Sequence, residues 1–286
     1  MNMRTPIVVA SFLLAAGLAL AADKPLDTRL VEGYDQLPAT QQTQVMEVLT
    51  HASCYYGCAD TIAACLQKTP PSAGAKRLAA FVVRRVLAGR KPAEVREDLK
   101  QREKSAFPVK QYPPSVEGLP VLGAAVAPVK VEIYADCQCP YCGVASPALA
   151  RLAREMPGKV GMWFKQFPVK SHALGVSCAT AMEAASAQGK FWEMHDALYA
   201  HKDELSEDII SRLAAGVGLD MTRFGSDRKT ASVLDRVRAQ KMEGIDRGMT
   251  GTPGIFINGK YYAGLKTYPE LRDRILEELE ILEGVK

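Results

Sequence analysis

The sequence is poor in the features that would place it in several large functional classes. Aromatic residues make up 7% of its 286 positions and the formal net charge is only +4, so it has neither the basic stripe nor the interleaved rings that nucleic-acid binding calls for. Its histidines, His51, His172, His195 and His201, form no His-x-x-x-His pair, and no second Cys-x-x-Cys completes a zinc site. Beyond Ala22 no apolar run is long enough to span a bilayer. Repeats and low-complexity tracts are absent. What is there is a chain that is 48% hydrophobic, enough for one domain with a substantial core and room for a second.

The first residues carry Arg4, an apolar run from Ile7 to Leu20, and then small residues. Ala19-Leu20-Ala21 fits a small-x-small cleavage site, so residues 1–21 read as a signal peptide, the alternative being an uncleaved anchor. The mature chain is expected to be soluble and exported, to the periplasm in a Gram-negative cell, where disulfides persist. Seven cysteines follow: Cys54, Cys58, Cys65, Cys137, Cys139, Cys142 and Cys178. The odd count requires at least one to stay free, bind a ligand or pair between molecules.

The most informative stretch is Val129 to Cys142. Val129, Val131 and Ile133 alternate with Lys130, Glu132 and Tyr134, the period of a strand with unlike faces. The alternation stops at Ala135-Asp136, Cys139-Pro140-Tyr141-Cys142 follows, and the Ala- and Leu-rich Gly143–Met156 reads as a helix. Pro140 suits a first helical turn. Cys139 then sits at the positive end of the helix dipole, among free N–H groups that stabilise a thiolate. The two-residue spacer lets Cys142 reach back, so the pair is able to cycle between dithiol and disulfide. A structural disulfide or half a zinc site is the bland alternative, and the strand-to-helix setting favours redox.

Along the rest of the chain, residues 22–104 read as a small helical domain. It holds helices at Thr40–Leu49 (Val45, Met46 and Leu49 inward), Ala75–Ala88 (Leu78, Val82 and Val86 inward) and Pro92–Arg102 (Val95 and Leu99 inward), with Lys and Arg on solvated faces. If Ser53–Cys65 is one helix, Cys54, Cys58 and Cys65 share a face and form a possible second thiol site: a redox pair, a packed or disulfide-bonded cluster, or a soft-metal site. Residues 105–128, with five prolines, read as an extended linker. From 129 to 286 the order is strand, helix, a strand at Val160–Pro168, a helical block over about 171–248, a hairpin about Asn258-Gly259, and a last helix. Ser171, Ser206 and Thr230 open helices of the block, and Thr267 to Glu270 reads as a capping box for the last one. Its expected inward stripe is Leu271, Ile275, Leu279 and Leu282.

Three blocks in this order carry a resemblance: Asp136 to Cys142, Gln188-Gly-Lys-Phe-Trp-Glu-Met-His-Asp-Ala-Leu-Tyr199, and Gly251-Thr-Pro-Gly-Ile-Phe-Ile-Asn-Gly259. From Val129 to about Glu283 the chain resembles the DsbA-type thiol–disulfide oxidoreductases. The resemblance implies an α/β, thioredoxin-like fold with a helical insertion, preceded here by a small all-α domain. It also implies that Cys139 is the nucleophile and Cys142 its resolving partner, supported by Asp136, Pro140 and Tyr141. Thr252-Pro253 would be a cis-proline loop facing them, offering backbone edges to an extended substrate. Two positions depart from the pattern. Ile133 stands where an acid is frequent, and Cys137 stands where an apolar or aromatic residue is usual. Cys137 reads as a small packing residue, with a disulfide relay to Cys178 or to the other domain as the minority reading. Asp136 reads as a turn cap, Cys178 as buried and inert, and His172, His195, Phe191 and Trp192 as packing or surface residues. Over about fifty residues from Cys54 to Arg102, the N-terminal part resembles the soluble domain of CcmH-type cytochrome c maturation proteins, although its cysteine spacing is three rather than two and Cys65 is extra.

The expectation is therefore an exported protein-disulfide oxidoreductase that needs no cofactor, holds no metal, and works on cysteine-bearing substrate proteins. A redox partner would re-oxidise or reduce it, and no stable membrane span would remain after leader removal. Disulfide formation or isomerisation is favoured. The alternatives are a periplasmic thiol reductant linked to cytochrome c maturation, or a cysteine-based metal-binding protein using Cys54, Cys58, Cys65 or Cys137-Gln138-Cys139.

Overall fold

The computed structural model describes residues 25–284, so the leader segment 1–21 lies outside the described residues. Four helices come first: α1 (Ala39–His51), α2 (Ile62–Leu66), α3 (Ala73–Leu87) and α4 (Pro92–Ala106). Leu78, Val82 and Val86 of α3 are buried as their spacing predicts, in one core with Val45, Val48 and Leu49 of α1 and Val95 and Leu99 of α4. Met46 is only partly buried, and Val48 takes the inward place expected for it.

The single helix expected to carry Cys54, Cys58 and Cys65 on one face does not form. The chain leaves α1 at Ala52, Gly57 turns through φ 72°, and the Thr61 side chain caps α2 by accepting the Ala64 N–H at 3.2 Å. Ser53, Gly57, Asp60 and Thr61 are turn and cap formers that compete with helix. Here the Cys54 N–H bonds the Asp60 carbonyl and the Ile62 N–H bonds that of Ala52, closing a loop instead.

The second part is a five-stranded sheet with helices on both faces. Its elements are β1 (Val121–Gly123), which lies within the proline-rich stretch, β2 (Val129–Ala135), α5 (Pro140–Glu155), β3 (Val160–Gln166), α6 (Gly175–Ser186), α7 (Phe191–Ala200), α8 (Glu207–Gly216), α9 (Met221–Asp227), α10 (Ala231–Asp246), β4 (Gly254–Ile257), β5 (Lys260–Tyr261) and α11 (Tyr268–Leu282). The strand order is β1-β3-β2-β4-β5, with β2 and β3 parallel and the other pairs antiparallel. Five helices thus interrupt a thioredoxin-like sheet between β3 and β4. Asn258 and Gly259, at φ 50° and 76°, make the tight hairpin that their dipeptide predicts.

On one face of β2, Val131 and Ile133 sit beside Met162, Phe164 and Ile255 and pack under Leu149 of α5 and Leu271 and Ile275 of α11. The other face, which alternation marks as polar, is also buried. Gly244 lets α10 lie against Tyr134 and Phe167, where a Cβ would come within 2.9–3.1 Å. Glu132 is consequently inside, 2.8 Å from Lys165 Nζ and 3.2 Å from Arg247 Nη1, and Lys165 also lies 2.8 Å from Glu243. Buried charges persist when they are paired in this way.

Other sequence expectations yield to tertiary contacts. Ser171 lies in a turn, and α6 begins only at Gly175, where the Leu174 N–H is satisfied by Gln138 Oε1 at 2.6 Å. Thr267 makes no side-chain cap, and the Glu270 carboxylate that would complete the capping box turns instead to Arg84 and Arg102. Leu282 is exposed, and α11 buries Glu270, Asp273 and Glu277 on a second face. There Arg84 meets Glu270 at 2.6 Å and pairs with Asp273, Arg77 pairs with Glu280, and Arg102 meets Glu277 at 3.0 Å. These arginines of α3 and α4 are therefore not a solvated face; they join the N-terminal helices to the last one.

Candidate redox site

At the end of β2 the chain makes a tight turn. The Asp136 carbonyl accepts the Cys139 N–H at 3.1 Å, and the Asp136 carboxylate accepts the N–H groups of Gln138 at 2.8 Å and Val169 at 2.7 Å. Asp136 therefore organises the turn, and His172 Nδ1 lies 3.0 Å from its Oδ2. Cys139 is the N-cap residue of α5 and Pro140 its first helical residue. Both follow from the sequence, since proline ends no ladder in a first turn and leaves the N-terminal N–H groups aimed at the residue before it.

The two thiols of this turn have been driven apart. Cys139 is pulled down to about 5, first by its hydrogen bond with the Cys142 thiol, then by the Thr252 side chain and the backbone N–H groups of Cys142 and Tyr141, against the opposing effect of burial. Cys142 is pushed far up by burial and by donating to Cys139. One sulfur is thus a thiolate at neutral pH and the other a protonated donor. When it carries a proton, Cys139 donates to the Thr252 carbonyl 3.4 Å away, across a Thr252–Pro253 peptide that is cis. Tyr141 stands exposed at 70% on the rim.

Ile133 is fully buried in the same core as the pair and brings no carboxylate to it; Glu132 faces away into the ion cluster under α10. Two neighbours were not legible in the sequence. Lys266, in the loop between β5 and α11, has its amine pulled down by burial, and an ionised Cys142 would act on it in the other direction. The Tyr199 phenol is buried within electrostatic reach of Cys142, Asp136 and Cys139 and is pushed up, chiefly by burial. Tyr199 closes one of the motif blocks quoted above, but its position in a helix pattern reads only as core. His195 is fully buried between Ser146 at 2.7 Å and Asp196 at 2.9 Å, with burial lowering its pKa, so it is a satisfied core residue.

The remaining cysteines differ from the expectation. Cys137 and Cys178, read as a packing residue and an inert thiol, are joined in a disulfide that links the active-site turn to α6. Of the possible second site, Cys58 and Cys65 form a disulfide with Cα atoms 5.9 Å apart. Cys54 stays a buried thiol, pushed up by burial, and donates to the Tyr56 carbonyl at 3.1 Å. The loop that replaces the expected helix brings the second and third of these cysteines together, not the first two. Among the described residues, no group of three or more His, Cys, Asp and Glu side chains is placed to hold a metal ion.

The comparisons agree with this geometry. A family model described as Thioredoxin matches residues 115–277. Among curated proteins, the chain is similar to Na(+)/H(+) antiporter NhaA 3 of Salinispora tropica, 40% identical over 149 residues, and to NhaA 1 of a Mycobacterium species, 33% identical over 147 residues. Each match takes 50% of this chain and 22% or 24% of the relative, so the chain spans less than a quarter of their length, and the match falls in the thioredoxin-like region. Among solved structures, BdbD from Bacillus subtilis shares the fold at a TM-score of 0.54 and 22% identity, over 59% of this chain and 97% of that one. A thioredoxin-like oxidoreductase from Silicibacter pomeroyi does so at 0.51 and 25%, over 57% and 94%. The thiol–disulfide exchange protein α-DsbA2 from Wolbachia pipientis matches at 0.51 and 20%, over 63% and 94%.

Proposed function

We propose a function from one premise: this chain belongs to the thioredoxin family, with 115–277 as the matching region. It is a thiol–disulfide oxidoreductase, exported by its leader, that donates the Cys139–Cys142 disulfide to cysteines of partner proteins. A partner thiolate attacks Cys139 Sγ, the Cys139–Cys142 bond breaks, and Cys142 leaves as a thiolate that takes up a proton. The partner's second thiolate then attacks the mixed disulfide and expels Cys139 as a thiolate. Two electrons move from the partner to this protein, and the partner gains its disulfide. A redox partner must then re-oxidise the pair.

The observation that carries this direction is the Cys139 thiol at about 5. A stabilised thiolate favours the reduced form of the pair, which makes the disulfide a stronger oxidant. Export is supported by the apolar leader, and among the described residues no helix is long and apolar enough to cross a membrane.

The test is a reduction potential against a glutathione buffer, paired with oxidation of a reduced, unfolded protein by wild type and by Cys139→Ser. A potential nearer the roughly −120 mV of strong oxidants, with activity lost in Cys139→Ser, is expected. A value near the roughly −270 mV of thioredoxin would overturn the donor direction and assign a reductant.

A further inference from the structure

The turn that presents Cys139 has two middle residues, Cys137 and Gln138, and both are fastened to the same place. Gln138 Oε1 accepts the Leu174 N–H at 2.6 Å at the head of α6. Cys137 is bonded through sulfur to Cys178, in the first turn of α6, with Cα atoms 6.3 Å apart. Both sulfurs are out of solvent, Cys137 at 1% and Cys178 at 0% exposure. The fit is close as well, since a Cβ on Gly175 would come within 2.7 Å of Asp136 Oδ2. Asp136 in turn holds the N–H groups of Gln138 and Val169. The segment 169–178 and the turn 136–139 therefore form one fastened unit. Its free end is Cys139 Sγ, which must meet donors on α5 and on the Thr252 loop together.

We infer that the Cys137–Cys178 disulfide is a positioning bond for Cys139: it pins the turn to α6 so that the nucleophile's sulfur stays against its hydrogen-bond donors, and it persists while Cys139 and Cys142 exchange. This rests on the reading of Cys139 and Cys142 as the exchanging pair. Thiolate stabilisation depends on donors aimed at one sulfur position, and hydrogen-bond strength falls steeply with misalignment. A turn released from α6 loses that aim even where the fold survives. Burial of both sulfurs keeps the second disulfide out of exchange.

The test uses the full chain with Cys137→Ala and Cys178→Ala combined. The Cys139 thiolate is titrated by absorbance near 240 nm in protein reduced at Cys139 and Cys142 only, against wild type treated alike, with Cys139→Ser as the blank; Cys54 and Cys142, held up by burial, are silent in that range. The midpoint is expected to rise by about one unit or more, a tenfold loss of thiolate at pH values below both midpoints. A shift under about 0.3 units overturns the inference. A second measurement covers a variant that fails to fold. Wild type is poised with a limiting dithiol, and its thiols are alkylated and mapped. Cys139 and Cys142 labelled with Cys137 and Cys178 unlabelled is the expected result; labelling of all four together overturns it. Wild type that exchanges with no dithiol at all sinks the underlying assignment of the pair, whereas normal exchange with an unshifted variant sinks this inference alone.

Discussion

Replacing Cys142 separates two roles that the structure gives its thiol. Its hydrogen bond to Cys139 is the largest contribution to the low Cys139 pKa, ahead of Thr252 and the backbone N–H groups. A fall from an ordinary 9.0 to about 5 is four units, which at about 1.4 kcal/mol each would be on the order of 5 kcal/mol in favour of the thiolate. Cys139 is itself only 5% exposed but adjoins the exposed Tyr141, so water at that edge screens part of this figure. A hydrogen bond to a charged group contributes about 1.5–3 kcal/mol, so losing one donor should raise the midpoint by about 1–2 units. Cys142→Ala removes the donor and should move Cys139 to about 6–7, while Cys142→Ser keeps a donor and should stay within about half a unit of wild type. The assay is the rate of iodoacetamide alkylation of Cys139 against pH. Equal midpoints for the Ala and Ser variants would refute the reasoning, because the backbone and Thr252 would then suffice. Neither variant is able to form the Cys139–Cys142 disulfide, so both should fail to oxidise a reduced partner; where the Cys139 thiolate attacks a disulfide already present in a partner, the mixed disulfide should accumulate, since no second thiol remains to expel the partner.

Two further outcomes follow from the same structure. Because the Cys139 pKa is depressed on folding, the stability it contributes to the reduced protein is complete above the unfolded thiol range near 9 and is lost as pH falls through about 5; urea titrations should show the reduced-minus-oxidised difference shrinking from pH 9 to pH 5, and a difference that grows instead would contradict the sign. Glu277→Ala removes the nearer carboxylate of buried Arg102 and the acceptor of the Tyr55 hydroxyl, leaving Arg102 only Glu270 at 3.6 Å, so it should cost about 3 kcal/mol by urea denaturation, and a loss under about 1 kcal/mol would mean that Glu270 or water already serves in its place.

Much of the redox turn was readable in advance because its signals are local. Strand alternation, Pro140 at a first helical position and Asn258-Gly259 in a hairpin each act over a few residues, and each formed as expected. Ser206 and Thr230 likewise cap α8 and α10 by accepting N–H groups three residues on. The misses are long-range. Cys137 and Cys178 are 41 residues apart, and seven cysteines allow many pairings that spacing does not rank. The acids of α11 look solvated in a helical pattern because the arginines that bury them belong to helices about 190 residues earlier. Ser53 to Thr61 departs from a helix for a different reason: one glycine, Gly57, and three cap-forming side chains lie inside it.

The ion cluster under α10 has a bearing on how reliably the chain assembles. In a strand whose side chains alternate, slipping the pairing by one residue exchanges its two faces. Were β2 to slip so, Glu132 would enter the apolar layer beneath α5 and Ile133 would face Lys165 and Arg247, leaving one carboxylate without a partner and two cations to share Glu243 alone. Either error is expensive by itself, and the slip makes both at once. The charges buried behind the sheet thus work as a ratchet tooth for its central strand. They set which residue of β2 stands level with β4, and with it the height at which Cys139 meets Thr252.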